Sequence, residues 1–307
     1  MVNHYRESDQ DHLEQDYYCV LVADIKDSRT GDEARWSDLT NLMEKIRVSL
    51  NYIFEENMEK EVVFTGGDSI QGVFYHIQEA YLYGRLLQKL FFPEAIRIGY
   101  GIGKVFSAID DKNSNYSTGP AFVEANEALW WAKDLDFDLY VRPQKQKAME
   151  INFIIELVSS IKSLQTDYQK ELDLMVECIY PFWTGYIHFP HPNILDVLRY
   201  KNKLSTFQSN SGPNSSSSRM ETFISKWGEE FDQFLNVVKV DKHTKDYSEI
   251  GKEVNPQGIQ TDIAYLTLSK RQTISKMYKL ARIESIRKYE AVICQKLGEF
   301  YDDYSIS

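Results

Sequence analysis

The chain has 307 residues, 43 % of them hydrophobic, with 46 acidic against 35 basic side chains and a formal net charge of −11 at pH 7. That hydrophobic content excludes global disorder and allows one large domain or two modest ones, each with a real core. The acidic balance excludes nucleic-acid binding over the whole surface, so any such contact must be local.

In chain order, the first stretch, MVNHYRESDQDHLEQD, is polar and acidic, unlike a signal or transit peptide. Tyr17–Asp24 is an apolar run with the character of a buried strand. Gly31-Asp32 opens a long amphipathic helix whose Trp36, Leu39, Met43, Ile46, Leu50 and Ile53 recur at spacings of three and four. A hairpin is predicted at about 61–75, with Gly66-Gly67 at its tip, then a helix over about 78–91 and a strand over Ala95–Val105. A third helix follows Gly119-Pro120 and carries Phe122, Ala125, Leu129 and Trp130. Leu139-Tyr140-Val141 is the last strand, ended by Pro143.

The order β-α-β-β-α-β-α-β predicts an α+β fold, a ferredoxin-like palm with helices on one face of a mostly antiparallel sheet. From about 145 the chain reads as helices. The expected organisation is a palm over 1–145, a helical connector over 146–207, a flexible Ser-rich linker or loop over 208–218 and a helical unit over 219–307. Cys19, Cys178 and Cys294 are far apart and form no C-x-x-C pair, which fits reduced thiols in a cytosol. No apolar stretch approaches the roughly 18–20 residues of a membrane span. The expectation is a cytoplasmic protein without membrane contact.

The chemistry concentrates on Asp24 and Asp68, 68 − 24 = 44 residues apart and each at the end of a strand. Singly, each is a turn residue. If the strands are neighbours, the two carboxylates meet and can hold a divalent cation, which in turn binds a nucleotide phosphate. Lys26, Ser28 and Arg29 follow the first aspartate and either touch phosphate oxygens or form a solvated loop. In Ile96–Lys104, alternation puts Arg97, Gly99, Gly101 and Gly103 on one face, where either a packed helix or a ligand comes close. Its Gly-x-Gly-x-Gly-Lys is no Walker loop.

Ile259–Ala281 reads as two helices around a short turn, with Ala264 and Ile274 ten residues apart, the spacing of a helix-turn-helix. Ser269 is the expected cap of the second helix, and Leu268 stands where many such turns carry glycine. Between 260 and 290, seven Lys/Arg face three acidic residues, a local +4. Lys270, Arg271, Gln272, Thr273 and Lys276 would face DNA, the alternative being a structural or partner-binding pair. Trp227, Phe231 and Phe234 read as core of this unit. His188 and His191 lack a third zinc ligand and read as loop.

Ala23–Arg29, Gly66–Gly72 and Arg97–Gly103 resemble the SatD family, over about 17–133 and again 219–300. That family is bacterial and linked to secretion and acid tolerance. The same landmarks resemble class III nucleotide cyclases and, more loosely, the palm of GGDEF-type synthases. In those cyclases two aspartates hold two magnesium ions on a nucleoside triphosphate. The resemblance implies Asp24, Asp68 and the Ile25 carbonyl as ligands of Mg²⁺ or Mn²⁺, with Gly66 and Gly67 beside the nucleotide. It also allows a homodimer. Departures are Phe64, where adenine-selecting cyclases carry lysine, and Val123 and Glu127, where an asparagine and an arginine are expected. Asn126 is the nearest catalytic candidate. The readings are a nucleotide- or metal-binding regulator with a helix-turn-helix, an active cyclase or nucleotidyltransferase, and a non-catalytic interaction module.

Overall fold

A continuous apolar run makes Tyr18–Ile25 (β1) a central strand with two buried sides. The computed structural model describes residues 17–26, 33–107, 112–143, 145–183, 191–208, 216–234, 238–239 and 254–305. After β1 come α1 (Glu33–Ile53), β2 (Met58–Gly66), β3 (Ser69–Phe74), α2 (Ile77–Phe91) and β4 (Ile96–Gly103). A two-stranded ribbon of β5 (Phe106–Ser107) and β6 (Ser117–Thr118) leads to α3 (Pro120–Asp134) and β7 (Leu139–Arg142). The sheet order is β2-β3-β1-β4-β7, and every neighbouring pair is antiparallel except β4 with β7. The α+β expectation therefore holds, with a mixed five-stranded sheet.

Helices lie on both faces of that sheet, which corrects the one-faced expectation. Cys19, Leu21, Ala23 and Ile25 of β1 join the core formed with α1 and α2. Val20 and Val22 point the other way, into a smaller core with Ala121, Phe122, Ala125 and Leu129 of α3. The glycines of β4 explain the second layer. A Cβ on Gly99 would sit 2.4 Å from the Ala125 carbonyl oxygen, and one on Gly101 would sit 2.2 Å from the Ala125 nitrogen. Helix α3 thus lies on a strip of bare backbone. Of the two partners left open for this face, the packed helix is the one present, and it leaves no room for a ligand over these glycines.

The remaining elements are α4 (Gln146–Ser163), α5 (Asp167–Ile179), β8 (Phe182–Trp183), α6 (His191–Gln208), α7 (Ser216–Glu229), α8 (Phe231–Phe234) and β9 (Val238–Lys239), then α9 (Ile259–Leu266), α10 (Arg271–Leu280) and α11 (Ile283–Ser305). The main core runs without a break from Cys19 of β1 to Tyr301 of α11, across the boundaries expected near 145 and 218. Helix α2 is buried on all sides, and Gly298 of α11 passes so close that a Cβ there would strike Gln78. The Ser-rich stretch is helical at its ends, in Gln208 of α6 and Ser216–Ser218 of α7, while 209–215 lie outside the described residues. Trp227 is fully buried against Phe223, as expected of a core anchor. No described helix is long and apolar enough to cross a membrane.

Between α9 and α10 the chain makes a short turn, with Ala264 and Ile274 both buried. Leu268 has φ +50°, the left-handed conformation that glycine takes at no steric cost. Ser269 does not cap α10. Lys270 occupies that position without a side-chain cap, and the Ser269 hydroxyl donates to the Thr267 carbonyl instead.

Candidate functional site

Asp24 ends β1 on the α3 side of the sheet, opposite Arg97 of β4 and Ser69 of β3. It is only 7 % exposed. Its Oδ2 pairs with the Lys133 ammonium from the last turn of α3. Its Oδ1 is buried and has no hydrogen-bond partner among the described residues. Burial pushes the Asp24 carboxyl above its usual pKa, against the opposing pull of Lys133, and the Asp68 carboxylate pushes it the same way. The two aspartates therefore lie within electrostatic reach of each other. The hairpin brings them together, since Asp68 immediately precedes the Ser69 that pairs with Asp24. Gly66 still pairs with Ser69, so the tip is Gly67-Asp68, one residue later than expected, and Gly67 has φ +62° as a glycine-first tight turn needs.

A second charged group adjoins this one. Lys26 donates to Asp136 Oδ1 at 2.6 Å, and Arg97 donates to the same oxygen at 3.0 Å. These bonds, that of Lys26 first, hold the Asp136 carboxyl below its usual pKa. Lys26 is thus beside the aspartates but already engaged by Asp136. Ser28 and Arg29 lie outside the described residues. The Ile25 side chain enters the opposite core, so only its carbonyl can serve as a ligand. Asn126 hydrogen-bonds the Phe122 carbonyl of its own helix at 2.8 Å, which gives its amide a local role away from Asp24. Sequence reasoning missed Lys133 and Asp136. Arg97 could have been found, because its alternation with Gly99 already places it on the Asp24 face.

The Mg²⁺ or Mn²⁺ that the cyclase resemblance implies asks for hard oxygen donors. Asp24 and Asp68 supply carboxylates of that kind, and the unpartnered Asp24 Oδ1 is an acceptor in want of a positive partner. On Oδ2, Lys133 supplies that charge itself. The two aspartates fit one side of a cation site, with the rest of the shell left to a carbonyl and ligand phosphates. Among the described residues there is no group of three or more metal-binding side chains.

At the other end of the chain, Lys270, Arg271, Gln272, Thr273 and Lys276 are all exposed on or just before α10. Two of the charges counted from sequence do not reach this surface. Arg287 and Glu290 are buried. Six cations (270, 271, 276, 279, 282, 288) then face Asp262 and Glu284, and 6 − 2 = +4 is unchanged. The side chains of His188 and His191 lie outside the described residues.

Buried Arg287 belongs to a network that nothing in the sequence signalled. Arg85 of α2 and Arg287 of α11 both bind Glu177 of α5, while Arg85 and Lys162 bind Glu290. Both guanidinium groups lie over the ring of Phe182, at 4.4 and 4.2 Å from its centre. These charges are paired with one another, and the arrangement ties the sheet's helix to the C-terminal helices.

Comparison with curated proteins finds no match. The sequence pattern of the SatD family matches residues 18–181, just over half of the chain, a span that contains Asp24, Asp68, Arg97 and Lys133 and ends before α9. The chain belongs to the SatD family.

Proposed function

We propose that the Asp24–Asp68 edge of the sheet binds a divalent cation, Mg²⁺ or Mn²⁺, together with a nucleotide's phosphates, and that α9 and α10 act as a helix-turn-helix that carries this state to DNA. The observation that carries the reading is the buried, unpartnered Asp24 Oδ1 with a second carboxylate near it. A buried acceptor left unmade costs about 1–3 kcal/mol, and a cation bridging the two aspartates removes that cost. Lys133 and Arg97 are the cations on the same face, suited to phosphate oxygens. The order β2-β3-β1-β4, joined as β-α-β-β-α-β, supports the ferredoxin-like palm reading. The exposed basic side chains of α10 support a local DNA contact in an acidic chain.

The role is regulatory binding rather than turnover. Phosphoryl transfer needs cations aimed at the developing charge, and Val123 and Glu127 stand where the cyclase resemblance expects an asparagine and an arginine. Val123 is 59 % exposed on the outer side of α3.

Titration calorimetry and thermal melts with Mg²⁺ or Mn²⁺, alone and with ATP or GTP, test the site. Wild type should bind and gain melting temperature, and Asp24→Ala and Asp68→Ala should lose both effects. Equal and negligible binding in all three proteins ends the proposal. Release of pyrophosphate from ATP or GTP would establish the enzymatic alternative instead. Salt-independent or absent DNA binding by the full chain would remove the helix-turn-helix half.

A further inference from the structure

A cavity of about 280 Å³ opens where the end of α2 and the turn before β4 meet α4 and α5, away from the aspartate pair. Its wall carries three ammonium groups, Lys89, Lys162 and Lys170, and three carboxylates, Glu94, Asp138 and Asp173. The balance is zero, which disfavours a polyanion such as a nucleoside triphosphate. The volume lies near the lower end of small-molecule pockets, about 300–1,000 Å³, and points to a ligand with few heavy atoms.

Most of these charges are engaged, two of them by residues outside the wall. Glu94 is held by Arg35 at 2.8 Å, and Lys162 by Glu290. Lys89 is paired with Asp173 through Oδ2. Beside the Asp138 carboxylate, Asp173 and Lys170 each keep an open group. Asp173 is 4 % exposed, yet its Oδ1 has no hydrogen-bond partner among the described residues. Lys170 has its ammonium 5.1 Å from the centre of the Phe92 ring and no ion-pair partner among the described residues. Burial pulls the Lys89 ammonium below its usual pKa even though Asp173 opposes the shift. The open Oδ1 of Asp173 is an acceptor for a second cation.

Lys170 and Asp173, three residues apart on α5, thus leave an ammonium without an ion-pair partner and a carboxylate oxygen without a hydrogen-bond donor among the described residues. We propose that this cavity binds a small zwitterion of the amino-acid class, with the ligand's ammonium on Asp173 and its carboxylate on Lys170. Phe92 supplies an apolar surface beside the carboxylate end. The site uses none of the residues placed at the aspartate pair and needs no divalent cation.

The test is titration calorimetry of the full chain, without divalent cations, against each of the twenty common amino acids. The tightest binder is then compared with its N-acetyl and carboxamide forms, which lack the ammonium and the carboxylate respectively. At least one amino acid should bind one-to-one. Each blocked form should bind about tenfold more weakly or worse, the loss of one charged hydrogen bond. Lys170→Gln should weaken the amino acid by a similar factor with an unchanged melting temperature, whereas Asp24→Ala should bind like wild type. The proposal is overturned if no amino acid binds at millimolar concentration, if the N-acetyl or carboxamide form binds as well as the free amino acid, or if Lys170→Gln has no effect. Failure of nucleotide binding at the aspartates leaves this outcome untouched, since the two sites share no residue.

Discussion

Replacing Glu177 by glutamine should cost the fold about 3 kcal/mol, and the figure can be worked in two ways. Glu177 is 1 % exposed and lies between Arg85 and Arg287, while its Oε1 also accepts the Phe182 amide at 3.1 Å. Burial alone would raise its pKa, but the two arginines prevail and bring it from 4.5 down to about 2. Lowering it from 4.5 to about 2, at about 1.36 kcal/mol per pH unit, gives about 3 kcal/mol of charge stabilisation. Independently, removing one partner of a buried ion pair costs about 3–5 kcal/mol, because the other charge is left stranded. The sign of the pH effect follows. An acid whose pKa is depressed by folding contributes fully above its unfolded value near 4.5 and loses that contribution as pH falls toward 2. Urea unfolding of wild type and Glu177→Gln, followed by fluorescence and circular dichroism between pH 2 and 7, reads both effects. The variant should be less stable at neutral pH and should lose stability less steeply below pH 4.5. A variant within about 1 kcal/mol of wild type, with the same acid slope, would refute the reasoning.

Three further outcomes follow from other parts of the fold. Gly101→Ala should lower stability by about 3 kcal/mol in urea, the upper end for overpacking, because the new Cβ meets backbone at 2.2 and 2.4 Å and only a shift of α3 makes room. Leu268→Gly should stabilise by about 0.5–1 kcal/mol, the left-handed strain of roughly 1–2 kcal/mol less the entropy cost of glycine. Leu268 is 72 % exposed, so little packing is lost, and a lower unfolding midpoint would contradict this account. Residues 1–145 produced alone should lack fixed tertiary structure by near-ultraviolet circular dichroism, since Gln78 and Arg85 of α2 would lose the helices that cover them. A folded, monomeric fragment would show that the continuous core is not required.

The parts of the fold that could be read from sequence were those specified by near neighbours. The β1 run, the hairpin and the face of α1 each depend on residues a few positions apart, and all three are present. The hairpin tip was off by one because Gly66 and Gly67 both tolerate turn geometry, and only strand pairing decides between them. The glycines of β4 left two answers open, since a bare strip of backbone suits a ligand and a helix equally until the path of α3 is known. Ser269 had the right chemistry for a cap but spends its hydroxyl on Thr267. Lys133 and Asp136 were invisible as site residues because they reach Asp24 and Lys26 only through the end of α3 and the turn after it.

The buried acids show why sequence points to one kind of site and hides another. Asp24 and Glu177 are both buried carboxylates, and their pKa values move in opposite directions. Glu177 has two arginines, 92 positions before it and 110 after it, so its charge is satisfied inside the fold and available to nothing else. Asp24 has one lysine on one oxygen and, among the described residues, no partner on the other. The first arrangement stabilises the chain, and it depends on partners that no local pattern reveals. The second leaves an unmet electrostatic demand at the end of a strand, next to the turn that carries Asp68. Binding chemistry belongs where the fold leaves such a demand open, and Asp24 and Asp173 are both buried carboxylates with one oxygen engaged and the other without a partner among the described residues.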